Sequence, residues 1–394
     1  MDAKMLKDKK ILLAVCGSVS FYKAYEILSR LKKLGADVRV MLSDGALKFT
    51  NPLSFEALTN HPILCTGNEN WQNKVSHIEY AKADLVLIAP ASANTINCLA
   101  NGVATSVFMQ TLLATDAKIL IAPAANNKML ENFATQRSFE ILRQNGVKII
   151  EPLTKILACG DLGRGALAHI DTIIYEVKRA LCEAKFQGKK VVITGGATSE
   201  RIDNVRAISN FSSGKMAKAL ADAFYFLGAN VSLISSVVYE NLPYKTSKFT
   251  STKELLSLCK NECENADLLV MSAAVSDYVS DKIFSGKLKK SELGDEWSLK
   301  LVKNLDILSE LKGFKCQKIG FKLETNTQNA EQNAKDMLKN KELNAVCLNI
   351  LGNQNGFGSD KNEVKFITQN DSVDLGLDDK SNIALKIANL ASNL

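Results

Sequence analysis

Two doubly wound, parallel-sheet α/β domains are predicted, and two observations carry that prediction. One local grammar occurs twice, and apolar runs of strand length alternate with amphipathic stretches of helix length. The first module, residues 9–42, reads KKILLAVCGSVSFYKAYEILSRLKKLGADVRVML: an apolar strand, a Gly17-Ser18 turn, an amphipathic helix from about Phe21 to Lys33, and a second strand. From residue 189 the chain repeats it as KKVVITGG, a long loop, a helix from Met216 to Leu227, and the strand NVSLISS. Both helices close on Leu-Gly-Ala, at Gly35 and Gly228, where glycine can take the left-handed conformation that ends a helix. The boundary falls between Ala184 and Lys190, giving domains 1–188 and 189–394.

The remaining elements follow from the same signals. ADLVLIAPASANT and AKILIAPAANNKM, from Ala83 and Ala117, each pair a buried strand with a proline and small polar residues. Proline stops the strand, so the polar side chains fall at its carboxyl edge, where open parallel sheets bind ligands. ADLLVMSAAVSDY, from Ala266, repeats the pattern with Asp277; later strands are Lys318 to Phe321 and Ala345 to Leu348. Gly352 to Asn362, rich in Gly and Asn, reads as a loop.

With 394 residues and 46% hydrophobic content, the chain can bury two cores. Its apolar runs fall far short of the roughly 20 residues that cross a bilayer. The opening MDAKMLKDKK does not read as a signal peptide, so a cytoplasmic protein without membrane partners is expected. Nine scattered cysteines, with no Cys-x-x-Cys pair, argue for a reducing compartment and against a zinc ribbon. Cys259 and Cys263 have a metal-compatible spacing but lack further ligands nearby, so they are read as packing and no protein-built metal site is expected. A net charge of +7 without basic clusters interleaved with aromatics excludes a nucleic-acid binder and suits anionic small molecules.

The segment from Ile193 to Met216, ITGGATSERIDNVRAISNFSSGKM, puts a glycine turn, hydroxyls, an acid and a cation into one loop between strand and helix. That composition suits phosphates, although the segment is neither a Walker loop nor a Gly-x-Gly-x-x-Gly fingerprint. Gly17-Ser18 offers amides and hydroxyls at another helix start, and Ser92, Asn94 and Thr95 do so at a second strand end. His77 lies on or beside the helix leading into the strand at Leu85. Cys159, in ACGDLGRGAL, is surrounded by glycines, and a thiol on a loop can cover a substrate and donate a proton. Lys287, Lys289 and Lys290 read as a solvated run from which one lysine can reach back to phosphates.

Together these motifs resemble the bifunctional phosphopantothenoylcysteine decarboxylase and phosphopantothenate-cysteine ligase family of coenzyme A biosynthesis, over nearly the whole chain. The pattern T-x-E-x-[IL]-D-x-V-R-x-I-x-N-x-S-S-G-K-M stands here from Thr198 to Met216. A-A-V-x-D-Y, K-[IL]-K-K, V-K-N-x-D-I, G-F-x-x-E-T and G-F-x-S-D-x-N come after it at Ala273–Tyr278, Lys287–Lys290, Val302–Ile307, Gly320–Thr325 and Gly356–Asn362.

The resemblance implies an N-terminal flavoprotein fold and a C-terminal nucleotide-binding, Rossmann-like ligase fold. In the ligase half, CTP with Mg2+ activates 4'-phosphopantothenate as an acyl-cytidylate, from which cysteine displaces CMP. Asn210 would act on that intermediate and Lys287 on the phosphates. The nucleotide positions would be Gly195, Gly196, Asp277, Lys287, Leu305, Asp306, Ile307, Leu308, Phe321, Met337 and Lys341. In the other half, FMN would sit at Gly17, Ser18, Ser43, Ser92, Asn94 and Thr95, with His77, Asn126 and Cys159 catalytic in converting 4'-phosphopantothenoylcysteine to 4'-phosphopantetheine. A homo-oligomer is implied, with trimeric decarboxylase and dimeric ligase contacts, up to a dodecamer.

The chain departs from the family pattern at Ala125 for methionine, Thr105 for aspartate, and Arg164-Gly165-Ala166 where the clamp reads x-G-R. In the ligase half Leu305 replaces proline, Ile350 an aspartate, and Met337 the first of two lysines; Lys341 keeps the second, and Lys335 or Lys339 is available in place of the first. Two alternatives stand beside this reading: a ligase with an impaired decarboxylase half, and a flavin-binding regulatory subunit. An NAD-dependent oxidoreductase would need a glycine fingerprint that neither module supplies.

Overall fold

The structure, a computed structural model, describes residues 5–70, 75–156, 160, 162–352 and 354–394, the Glu292 side chain excepted. Two compact units divide the chain, one ending at Cys182 and the other spanning Glu183–Leu394.

In the first unit, β1 (Lys10–Val15), β2 (Asp37–Leu42), β3 (Leu85–Ala91), β4 (Lys118–Pro123) and β5 (Lys148–Ile149) form a sheet ordered β2-β1-β3-β4-β5. Every pairing in it is parallel. Parallel strands are covered on both faces, which is why their sequences read as unbroken apolar runs. Side-chain alternation sends Ile11, Leu13 and Val15 into one core and Leu12, Ala14 and Cys16 into the other. Burying each such Leu or Ile contributes about 1.5–3 kcal/mol. The helix Lys23–Lys33 comes after a short turn of 3-10 helix at Val19–Tyr22, two residues later than the sequence predicts, because Ser18 caps that turn first. An antiparallel hairpin, β6 (Leu153–Ile156) and β7 (Leu162–Ala166), completes the unit.

The second unit's strands begin with β8 (Lys190–Gly195), β9 (Ser199–Arg201), β10 (Ala207–Ser209), β11 (Asn230–Ser235), β12 (Lys245–Lys248) and β13 (Leu268–Met271). The rest are β14 (Tyr278–Ser280), β15 (Leu301–Lys303), β16 (Gln317–Glu324), β17 (Ala345–Ile350), β18 (Lys361–Thr368) and β19 (Ser372–Asp379). Eight of them form one sheet, ordered β12-β11-β8-β13-β16-β17-β18-β19. It is parallel as far as β17 and antiparallel in its last two pairings. Val192, Leu269, Val346 and Leu348 pack on one face with residues of the helices Thr252–Cys263 and Ala330–Asn340. The helices Lys215–Phe226 and Lys380–Ala391 pack against each other and against strands of the same sheet.

Two features differ from the sequence expectations. The long loop after β8 contains the hairpin β9–β10, whose three-residue strands are too short to give a periodic signal. The segment expected as a loop to Asn362 enters β18 at Lys361, where pairing with β19 overrides its polar composition. Among the described residues no helix is long and apolar enough to cross a membrane.

In both main sheets the strand order reverses once within the parallel part, between β1 and β3 and between β8 and β13. The loops leaving such a pair diverge to opposite faces and open a crevice at the carboxyl edge. The Gly17 and Ser92 loops leave one switch point; the Gly196 and Asp277 loops leave the other.

Candidate functional site

At the second switch point lies a cavity of about 1090 Å³. Two adjacent glycines make it possible, for different reasons. A Cβ on Gly195 would come 2.1 Å from the Ala217 Cβ, so this glycine lets the next helix close onto the strand end. Gly196 has φ +79°, and its Cβ would meet the Ser236 Oγ at 2.1 Å; this glycine turns the chain beneath the cavity. The loops after β8 and β13 are then stitched together. The Thr198 amide donates to the Ala274 carbonyl at 3.0 Å and the Ala274 amide to the Gly196 carbonyl at 2.8 Å.

The cavity wall carries Asn210, whose Nδ2 donates to the Val275 carbonyl at 3.1 Å, and Asp277, whose carbonyl accepts from the Asn304 amide at 2.8 Å. A buried network stands behind them. Glu200 accepts from the Thr252 amide at 2.8 Å and from its hydroxyl at 2.5 Å; Asn304 donates to the same hydroxyl at 2.9 Å and to the Ser276 carbonyl at 2.8 Å. Sequence reading gave Glu200 and Asn304 no role, although they sit in the motifs Thr198–Met216 and Val302–Ile307. Their partners lie 52 and 28 residues away, beyond any local pattern.

Asp306 caps the short helix Ile307–Glu310 by accepting from the Ser309 amide at 3.1 Å, and Lys341 reaches its other oxygen at 2.7 Å. Burial alone would raise this carboxyl, but the Lys341 hydrogen bond and the helix amides outweigh it and hold it below the ordinary value. Leu305, Ile307, Leu308 and Phe321 complete this wall. Met337, at the expected lysine position, packs against the hydrophobic cluster beneath the cavity, while Lys341 one helical turn on supplies the cation. Among the expected nucleotide positions only Gly195, which sits behind the wall, and Lys287 do not line the cavity.

Lys287 is exposed on a segment clamped elsewhere. The Leu288 amide donates to Asp203 at 3.1 Å, the Asn204 amide to the Gly286 carbonyl at 3.0 Å, and Arg206 to the Leu288 carbonyl at 3.0 Å. Burial would raise Asp203, but amides of Val205, Leu288 and Arg206 and the Arg206 charge bring it down, so it anchors both segments as a carboxylate. Among the described residues no cluster of three or more His, Cys, Asp or Glu side chains could hold a metal ion.

At the first switch point the strand ends carry a row of polar caps. Ser18 after β1 accepts from the Ser20 amide, Ser43 after β2 from Ala46, Ser92 after β3 from Thr95, and Asn126 after β4 from Lys128. Gly17 lies so close to Gly45 that a Cβ would meet its carbonyl carbon at 2.6 Å, which draws the β1 and β2 loops together. Thr95 is buried and accepts from the Cys16 thiol at 3.2 Å; Asn94 is exposed beside it. Burial pushes the Cys16 thiol up, so it stays protonated as that donor. Hydroxyls, an amide side chain and helix N-termini along one edge fit a phosphate-bearing, polyhydroxylated cofactor.

His77 is half-buried on the helix Ser76–Ala81, an element that carries none of these caps, and Asn126 is exposed. Cys159 lies outside the described residues. The hairpin flanking it docks beside Asn126: the Ala125 amide donates to the Gly165 carbonyl at 3.1 Å and the Arg164 amide to Asn127 at 2.9 Å. The Arg164 guanidinium is engaged by Glu151 at 2.6 Å.

The family described as DNA/pantothenate metabolism flavoprotein C-terminal domain matches residues 186–394, and the Flavoprotein family matches 2–181. The coenzyme A biosynthesis bifunctional protein CoaBC of Bacillus subtilis is 38% identical over 91% of this chain and 90% of its own. That of Haemophilus influenzae is 35% identical over 98% and 97%. A crystal structure of the C-terminal domain of a CoaBC protein is 29% identical, covers 54% of this chain and 97% of its own, and superposes with a TM-score of 0.45.

Proposed function

The chain belongs to the family of coenzyme A biosynthesis bifunctional proteins, and on that premise we propose that it performs two consecutive steps of that synthesis. Its C-terminal half ligates cysteine to 4'-phosphopantothenate with CTP; its N-terminal half, with FMN, decarboxylates the product to 4'-phosphopantetheine. The observation carrying the ligase reading is the cavity at the β8–β13 switch point, walled by Gly196, Asn210, Asp277 and the Asp306–Lys341 pair.

A free carboxylate does not react with an amine, so the ligase must first supply a leaving group. The acyl-cytidylate does so, and groups aimed at the developing charge lower its barrier. Asn210 carries an amide that can hold the acyl or phosphoryl oxygen; its Nδ2 contact with Val275 fixes its plane. The Asp306–Lys341 wall, with Leu305, Ile307, Leu308, Phe321 and Met337, receives the nucleotide, and Asp277 contacts it. Mg2+ arrives with the triphosphate, since it is held mainly by phosphates with one or two carboxylates. Lys287 acts on the phosphates after its segment moves from its clamped position.

In the N-terminal half, Gly17, Ser18, Ser43, Ser92, Asn94 and Thr95 hold FMN, which supplies reversible two-electron chemistry when bound. Asn126, His77 and Cys159 are its catalytic residues, with the Cys159 thiol donating a proton. Ala166 leaves the clamp without its arginine, and Arg164, held by Glu151, fixes the hairpin instead. The decarboxylase domain is assigned to residues 1–188 and the ligase domain to 189–394, and the protein acts in the cytoplasm as a homo-oligomer with trimeric decarboxylase and dimeric ligase contacts.

A coupled assay tests both halves. Phosphopantothenate, cysteine, CTP and Mg2+ are expected to give pyrophosphate, CMP and, with bound FMN, carbon dioxide and phosphopantetheine. Turnover without nucleotide contradicts the ligase mechanism. A protein that cannot be reconstituted with FMN contradicts the decarboxylase half.

A further inference from the structure

Resting on the ligase reading, we propose that Lys215 and Lys380 form a phosphoryl-anion subsite of the cavity, separate from the wall built by Asp306 and Lys341. Both lysines line the cavity. Each is the first residue of a twelve-residue helix, Lys215–Phe226 or Lys380–Ala391, and the two helices pack together. They come from sequence positions 165 apart, so only the fold brings them to one place.

The segment Gly358–Asp360 runs between the two ammonium groups. Lys215 Nζ donates to the Gly358 carbonyl at 2.8 Å and pairs with Asp360 at 2.7 Å; Lys380 Nζ donates to the Ser359 carbonyl. The Asp360 carboxylate, itself 74% exposed, pairs with Lys215, while Lys380 is held by a backbone carbonyl. Lys380 is held below its ordinary value, first by burial and then by Lys215, with Asp360 only partly offsetting them. A half-buried cation facing a like charge is costly unless an anion joins it. Ser212 and Ser213, just before Lys215 in the chain, also line the cavity, so hydroxyl-bearing residues accompany the two cations.

Two phosphoryl groups enter this reaction: the phosphate chain of the nucleotide, part of which leaves as pyrophosphate, and the phosphate end of the acyl substrate. Either one satisfies the same two lysines, and kinetics separates them. In the subsite Asp360 acts as a resident competitor, occupying the Lys215 ammonium until the phosphate displaces it.

The test uses full-length protein with inorganic tripolyphosphate as the probe, titrated calorimetrically without nucleotide. Lys380→Met is expected to weaken its binding about tenfold, the loss of one charge-assisted contact. Asp360→Asn is expected to tighten it, because the competing carboxylate is gone. A purely structural role for the cluster would weaken binding in both variants. In steady-state assays, a raised KM for CTP alone in K380M assigns the subsite to the nucleotide chain. A raised KM for phosphopantothenate alone assigns it to the acyl substrate. Unchanged tripolyphosphate affinity in K380M, or weakened affinity in D360N, overturns the proposal. If K380M melts early, D360N and Lys380→Arg, which is expected to retain binding, decide the matter. Failure of the ligase reading looks different: the wild type releases no CMP, while the tripolyphosphate titration still reports on the subsite.

Discussion

The two switch points are built from one grammar and differ in how their loops are tied. At the first, each strand runs within a few residues into a helix whose start is capped by Ser18, Ser43, Ser92 or Asn126. Each cap is satisfied inside its own loop, and neighbouring strand ends are joined by single backbone bonds, from the Ser43 amide to the Val15 carbonyl, the Cys16 amide to the Pro90 carbonyl and the Ala124 amide to the Ala91 carbonyl. At the second, the loop after β8 is long enough to fold its own hairpin and to hydrogen-bond across to the loop after β13. A loop long enough to fold its own hairpin builds a wall, whereas short loops that turn at once into capped helices make an edge. The same strand-turn-helix unit thus gives a row of anion-accepting caps in one half and a walled cavity in the other.

The largest effects come from breaking one switch point at a time. Gly196→Val places a side chain on the Ser236 hydroxyl at a left-handed position. Ligase turnover is expected to fall by about a hundredfold or more, since displacing a positioning loop by an ångström has that effect. Flavin absorbance stays. Gly17→Val, against the Gly45 backbone, is expected to lose flavin while CMP release continues. If either variant disables both halves, the independence of the two edges is wrong.

Asn210→Asp keeps size and replaces a donor with a charge facing phosphates. A drop in ligase kcat of about a hundredfold is expected, with decarboxylation of supplied phosphopantothenoylcysteine unaffected. An altered KM with unchanged kcat would instead make Asn210 a binding residue.

Glu200→Gln tests the network behind the cavity. One oxygen of the buried Glu200 carboxyl accepts both Thr252 hydrogen bonds; a glutamine oxygen keeps them, but its NH2 replaces the other oxygen with a donor that needs buried acceptors. A loss of about 1–3 kcal/mol is expected, confined to the C-terminal unit's melting transition. An equal shift in the N-terminal transition would show that the two units do not melt separately.

The smallest effect belongs to the Asp306–Lys341 pair, which is partly exposed. Lys341→Met is expected to cost about 1 kcal/mol at most. Because Asp306 is held below its unfolded value of about 3.9, the pair stabilises the fold above that pH and the contribution fades as pH falls through the folded value. Urea melts at neutral and acid pH should therefore show the wild type and variant converging in acid. A pH-independent difference would mean that Lys341 acts through packing.

Much of the site was legible because its residues lie just past strand ends. Apolar runs at Ile11, Leu85, Val191 and Leu268 locate strands, and residues beyond the carboxyl end of a parallel strand face the ligand edge. Lys287 shows the limit. Its motif suggests a phosphate contact, yet the hydrogen bonds from Leu288, Asn204 and Arg206 set it outside the cavity lining. Lys380 shows the converse: it stands in no recognisable pattern, and only the packing of two helices puts it beside Lys215.

The sequence alone determined the two-module plan, the strand cores and the glycine loop, and its family resemblance pointed to most of the residues that line the cavity wall. Periodicity and turn chemistry are local properties, written within a few residues of one another. Tertiary structure decided which loops are stitched together, that Asp306 is paired with Lys341, that Glu200 holds Thr252, and that Lys215 and Lys380 both hold the Gly358–Asp360 segment. Those outcomes depend on strand order and helix packing, which bring residues tens to hundreds of positions apart within hydrogen-bond reach, and no local pattern encodes that distance.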